Sequence, residues 1–225
     1  MIRLIITATA ILTTSSALYF YISHARLSKR ITHTTHQGTL SRPTEIESIP
    51  KSIFTSQYFT IHDKCSKSVP RACLPEESPH LLFTRLVRRN MVAFSRFPQA
   101  LMLAMVSKTA GQKKSFQAAH IHALDFQEGD LVCGVYQVKC RSRNKVEFEI
   151  KMHGMDFVEG RLAISYREVD QDERNVVMFC SETIMWRKVD ESRCMPLERP
   201  ALRWMHETAA WWLLDSGVKY LIDLE

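Results

Sequence analysis

Between Leu131 and Trp186 the chain returns again and again to one pattern, apolar and polar residues in alternation, broken by short polar turns. Val146, Phe148 and Ile150 alternate with Glu147, Glu149 and Lys151, and Leu162, Ile164 and Tyr166 repeat the alternation. Asp170 to Asn175 reads as a polar turn, and Val176 to Trp186 as the longest strand. A period of two puts each set of side chains on one face of a strand, and connections this short join antiparallel neighbours. Leu131 to Lys139 is apolar on both faces, which predicts a strand covered on both sides. The middle of the chain is therefore expected to be an antiparallel meander.

Helical signals flank the meander. Ser78-Pro79 combines an N-cap residue with proline at the first helical position. In the helix that follows, Phe83, Leu86, Val87, Phe94 and Phe97 share one side, and Arg85, Arg88, Arg89 and Arg96 the other. Pro98 kinks or ends it, with Gln99 to Val106 continuing for a turn or two. Pro200 opens a last helix from Ala201 to about Ile222. It carries two apolar stripes, one with Leu202, Met205, Trp212 and Tyr220, the other with Trp204, Trp211, Val218 and Ile222. One stripe can cover the sheet; the second must meet another helix, a partner, a ligand or a membrane surface. Tyr58, Phe59 and Ile61 suggest a first strand. The order strand, helices, antiparallel strands, long helix predicts an α+β fold, a curved antiparallel sheet wrapped on the C-terminal helix.

The start of the chain is different. Leu4 to Ile22 holds no charged residue, and at about 1.5 Å per residue such a run spans roughly 30 Å, the thickness of a bilayer core. Tyr19 and Tyr21 stand where an aromatic belt would lie, and Arg26, Lys29 and Arg30 follow. Residues 1–23 are thus expected to be a single-pass transmembrane anchor, residues 24–52 a polar tether, and residues 53–225 one domain. The basic flank places that domain in the cytosol, most simply at the endoplasmic reticulum. A mitochondrial targeting segment and a cleaved signal peptide are the rival readings.

Charge narrows the partners. The formal net charge is +6, but five of the 30 basic residues and none of the 24 acidic ones precede Glu45. The remainder carries 25 basic against 24 acidic residues, so no nucleic-acid partner is expected. The six cysteines form no C-x-x-C pair and read as buried thiols.

The element order resembles the helix-grip (START-like) arrangement and, more weakly, the bacterial domain of unknown function DUF1990; a hot-dog fold is the alternative. The stretch Leu124–Tyr136 (LDFQEGDLVCGVY) and the stretch Ser181–Arg187 (SETIMWR) are similar to segments of uncharacterised single-pass fungal proteins, members of which can sit among secondary-metabolite genes. That resemblance implies a small hydrophobic natural product as ligand.

The chain has no G-x-S-x-G, G-x-G-x-x-G, P-loop or H-E-x-x-H motif, and no cofactor or metal is expected. His120 and His122 would share a strand face but lack a third ligand, and His24, His33 and His36 lie in the expected tether. Glu182 shares a face with Val176, Met178, Cys180, Ile184 and Trp186. A carboxylate among apolar neighbours must be paired or protonated, which makes it a candidate proton donor or acceptor or else half of a structural ion pair. Tyr136 and Tyr166 are candidate hydroxyl donors to the same expected cavity, and Trp186, Met178 and Phe148 candidate ligand contacts. Two functions follow. One is a cofactor-independent cyclase or isomerase, such as a catalyst of an intramolecular 4+2 cycloaddition on a polyketide or terpenoid, held near membrane-bound oxidases. The other is a non-catalytic lipid or sterol carrier. An assembly factor using the Trp204/Trp211 stripe is a third.

Overall fold

The computed structural model describes residues 18–224 apart from 41, 42, 153, 172 and 173. Seven strands form one antiparallel sheet: β1 (Thr32–Gly38), β2 (Tyr58–Pro70), β3 (Leu131–Val132), β4 (Tyr136–Arg141), β5 (Lys145–Ile150), β6 (Glu159–Gln171) and β7 (Arg174–Lys188). Their spatial order is β1-β2-β7-β6-β5-β4-β3. The long strand β7 lies between β2 and β6, with Glu182 opposite Lys64 on one side and Ala163 on the other.

Among the described residues, six α-helices and three short 3-10 turns accompany the sheet. Residues 18–27 form α1. α2 (Pro79–Phe94), α3 (Pro98–Val106), α4 (Ala110–Lys114) and α5 (Ala118–Ala123) follow β2, and α6 (Pro200–Ile222) closes the fold. α6 lies against β2, β7 and α2. Phe83, Leu86 and Val87 of α2 and Trp211, Leu214, Val218 and Leu221 of α6 interlock with Val146, Phe148, Ile164, Tyr166, Val177 and Phe179 of the sheet. The architecture is thus the expected α+β one, a curved antiparallel sheet with a long C-terminal helix across one face.

Several expectations are corrected. The segment 24–52, expected as a polar tether, contributes the end of α1, all of β1 and most of a strap that crosses the other face of the sheet. β1 has the sequence THTTHQG, with no apolar alternation to announce it; backbone pairing with β2 from Thr32↔Ser66 to Gly38↔Thr60 holds it. His24 and His33 are not free in a linker but lie 4.6 and 4.2 Å from the ring of Trp211. The single strand expected over Leu131–Lys139 is two short ones. The chain reverses between them at Cys133 and Gly134, both with positive φ, and the Gly134 N–H donates to Ser115 Oγ. His120 and His122 lie on helix α5 rather than a strand. Ser78 stands at the N-cap of α2 without a capping bond from its side chain. The expected transmembrane segment falls mostly outside the described residues, and among those described no helix is long and apolar enough to cross a membrane.

Of the two stripes on α6, the one bearing Trp211 and Val218 faces the core, and the one bearing Leu202, Met205, Trp212 and Tyr220 stays exposed. α6 approaches α2 closely at Gly217, where an added Cβ would stand 2.7 Å from Leu86 Cδ1 and collide with the side chain of Asn90. Glycine inside a helix ordinarily costs stability relative to alanine; here the close approach reverses the sign. Gly217→Ala is expected to destabilise the fold by about 1–3 kcal/mol, read as a lower urea midpoint by tryptophan fluorescence. Gly111→Ala in α4, where a Cβ meets nothing within 4 Å, is the control expected to leave the midpoint unchanged or raise it.

Candidate functional site

The face of the sheet away from α6 carries a cluster of buried charges. Alternation along β7 places Cys180, Glu182, Ile184 and Trp186 there, beside Lys64 and His62 of β2, Arg161 and Ala163 of β6, and Lys145, Glu147 and Glu149 of β5. The strap, residues 43–53, covers them. Its Ile46, Ile49 and Ile53, with Leu40, pack on Ala163, Ile184 and Trp186.

Polar groups do the rest of the fastening. Glu147 is fully buried and accepts the backbone N–H groups of Glu47 and Ser48 at 2.9 and 2.8 Å. Glu182 accepts the N–H of Glu45 at 3.2 Å. Lys145 donates to the Glu45 carbonyl, and Arg161 to that of Ser48. His62 Nε2 lies 2.8 Å from Glu182 Oε1; an ionised carboxylate only accepts, so Nε2 is the donor. Lys64 reaches Glu45 at 2.7 Å. Burial pushes the Glu182 carboxyl up, but hydrogen bonds from His62 and Thr44 and the charge of Lys64 outweigh it and hold the group below its ordinary value. Burial likewise raises Glu147, and the bonds from Lys145 and the strap N–H groups bring it below the usual range. Glu182 is therefore the ionised half of a structural pair rather than a protonated donor.

The other predicted residues divide between the two faces. Tyr136, Tyr166 and Phe148 point toward the helices; Glu182, Trp186 and Met178 point the opposite way. The thickness of the sheet separates the two sets, so no single cavity gathers them. Trp186 is sealed beneath the strap with the Arg161 guanidinium 5.4 Å from its ring centroid. Met178 is half-buried opposite Ser68 and Arg167. Tyr136 packs edge-on to Phe94 and Phe148, and burial raises its phenol pKa. The space between sheet and α6, expected to be hollow, is filled by Phe83, Phe126, Phe148, Phe179, Leu86 and Trp211, each at most 2% exposed.

Tyr166 is buried but borders a surface groove. Its ring lies 5.3 Å from Phe83 and 6.3 Å from Phe179. Its outer edge borders a surface groove of about 520 Å³ shared with Pro79, Arg143, Asn144, Arg167 and Glu168. Behind it a cavity of about 10 Å³, lined by Leu74, Leu82, Val177 and Phe179 among others, has room for scarcely one water. Burial raises the Tyr166 pKa more than Arg143 and Arg141 lower it, so the phenol stays protonated near neutral pH and can donate.

Sequence reasoning missed Glu147, Lys145, His62, Lys64 and Glu45. Alternation assigns Glu147 to a solvent face, and only the spacing of Ile46, Ile49 and Ile53 in a polar stretch hints that something covers that face. The thiols of Cys65, Cys133 and Cys180 are buried, as expected, while Cys73 and Cys194 are exposed.

Because Glu147 and Glu182 titrate lower in the folded chain than in the unfolded one, their contribution is complete above the ordinary carboxylate range of about 4–4.5 and is lost as pH falls below it. The urea midpoint should fall between pH 5 and about pH 3, and fall less in a Glu147→Gln/Glu182→Gln double variant. Glu147→Ala, which strands Lys145 and two strap N–H groups, should cost about 3–5 kcal/mol at neutral pH. An acid profile identical in the double variant and the wild type would show that these carboxylates do not hold the strap.

No protein-family model and no curated protein matches the chain. Among solved structures, the crystal structure of CalU16 from Micromonospora echinospora superposes over 86% of this chain and 87% of its own, with 7% sequence identity and a TM-score of 0.37. That likeness is too distant to carry an argument about site or activity.

Proposed function

We propose that this protein is a membrane-tethered, cofactor-independent handler of a hydrophobic molecule, and that the molecule meets the chain at the Tyr166 groove. The supporting observation is that Tyr166, though only 8% exposed, borders both a small apolar cavity and the surface groove and keeps its hydroxyl protonated, while Glu182 is tied into the strap and Tyr136 packs against Phe94 and Phe148. In the finer reading the protein is a cyclase or isomerase of fungal secondary metabolism acting on a polyketide or terpenoid. A pericyclic closure needs a folded substrate and one donor on an electron-poor carbonyl. The Tyr166 hydroxyl is that donor, and Arg143 and Arg167 beside it favour a substrate with an acidic or strongly polar end. The carrier reading has less support, because enclosing a drug-sized ligand takes about 300–1,000 Å³ and the core offers about 10 Å³ at this point. The uncharged run before α1 is the tether in either reading.

Photo-crosslinking of the full chain with a diazirine-bearing polyene carboxylic acid, followed by peptide mapping, tests the location. Adducts are expected on residues 79–82 and 166–168 and should be lost in Tyr166→Ala. Tyr166→Phe should keep the adducts but lower turnover of any precursor the wild type cyclises by about a hundredfold. Labelling confined to α1 and α3, or unchanged by Tyr166→Ala, overturns the groove.

A further inference from the structure

α3 is an apolar helix left largely uncovered. Its nine residues, PQALMLAMV, carry no charge, and Ala100 is its one buried residue. Leu101, Met102, Met105 and Val106 are 55, 64, 78 and 55% exposed. A helix with no polar side facing outward is stable only against something that is not water.

Its neighbours extend the same surface. Phe97, which leads into α3, lies 5.4 Å from Trp212, in the exposed stripe of α6. On the other flank of that stripe runs α1, with His24 stacked on Trp204 and Trp211 and Arg30 3.7 Å from Asp215. His24 thus sets α1 beside α6, and residues 18–22 at the start of α1 are exposed.

Charge selects the partner. From Ser78 to Leu124 there are seven basic residues and no acidic one. Arg89 lies over the Trp212 ring at 5.2 Å, and Arg96, Lys108, Lys113 and Lys114 flank α3 in sequence. Apolar residues ringed by cations match the boundary between acyl chains and anionic headgroups.

We propose that α3 and the exposed stripe of α6 dock flat on an anionic bilayer, with α3 inserted at the headgroup boundary as a second attachment beside the N-terminal run. This extends the proposed tether and shares no residue with the Tyr166 groove, so the two fail separately. The test reconstitutes the full chain in vesicles of phosphatidylcholine alone or with about 30% phosphatidylserine and follows amide hydrogen exchange. Amides 99–106 should exchange about tenfold more slowly in the anionic vesicles, and high salt should remove the difference. Leu101→Asp with Met105→Asp, at exposed positions that leave thermal unfolding unchanged, should abolish the protection. Lys113→Glu with Lys114→Glu should weaken docking about fivefold per charge. Equal α3 exchange in both vesicles with residues 18–22 protected would mean a tether without docking and overturn the proposal. Protection that ignores lipid charge and grows with protein density would assign the face to a second copy and overturn it equally.

Discussion

The central strand β7 has to be covered on both faces, and the two covers are made differently. Toward the helices it presents Val177 and Phe179, which α2 and α6 bury with ordinary apolar packing, and Met185, which packs with Ile61, Val158, Met195 and Leu197. The opposite face receives only a short strap without regular structure over most of its length. Such a segment brings backbone N–H and C=O groups that cannot pair with one another, and each buried unpaired group costs on the order of 1–3 kcal/mol. The sheet supplies the missing partners. Glu147 and Glu182 take the N–H groups of residues 45, 47 and 48, and Lys145 and Arg161 take two carbonyls. The charges of this face are the price of closing it with a strap instead of a helix.

That solution decides where chemistry is available. A carboxylate buried alone would be driven to its neutral form. Glu182 is buried among partners instead, so it remains an anion and its lone pairs are committed to His62, Thr44 and the strap. Proton-donor capacity has to be sought where a polar group keeps an open side. Tyr166 borders such a side: it is buried beneath Phe83 of α2 but lines the surface groove beside Pro79.

The meander, the start of α2 and the long helix α6 were legible because their apolar residues keep a fixed period on one buried face. The period does not fix the register between strands: Phe148, Leu162 and Thr183 stand opposite one another, so Glu182 falls on the face away from Phe148 and Tyr166. β1 was not legible because an edge strand is held by its backbone, and THTTHQG has no side-chain pattern to show it. The burial of Glu147 was hidden for a related reason: alternation tells which residues share a face but not what covers it. The parity of Glu182 with Ile184 and Trp186 was therefore read correctly, and the wrong cover was assigned to it.

The groove and the docking face stand at opposite ends of α2. Pro79 borders the groove, and Phe94, at the last turn of the helix, leads to α3. Sixteen residues lie in between inclusive, which at 1.5 Å each is roughly 24 Å. A molecule bound at the groove would keep its polar end in water while its apolar part rests on the protein. The lining fits that demand, with Arg143, Asn144 and Glu168 at the rim and Leu82 and Phe179 behind. A purely hydrocarbon ligand would gain more by staying in the membrane, and an amphipathic one would not.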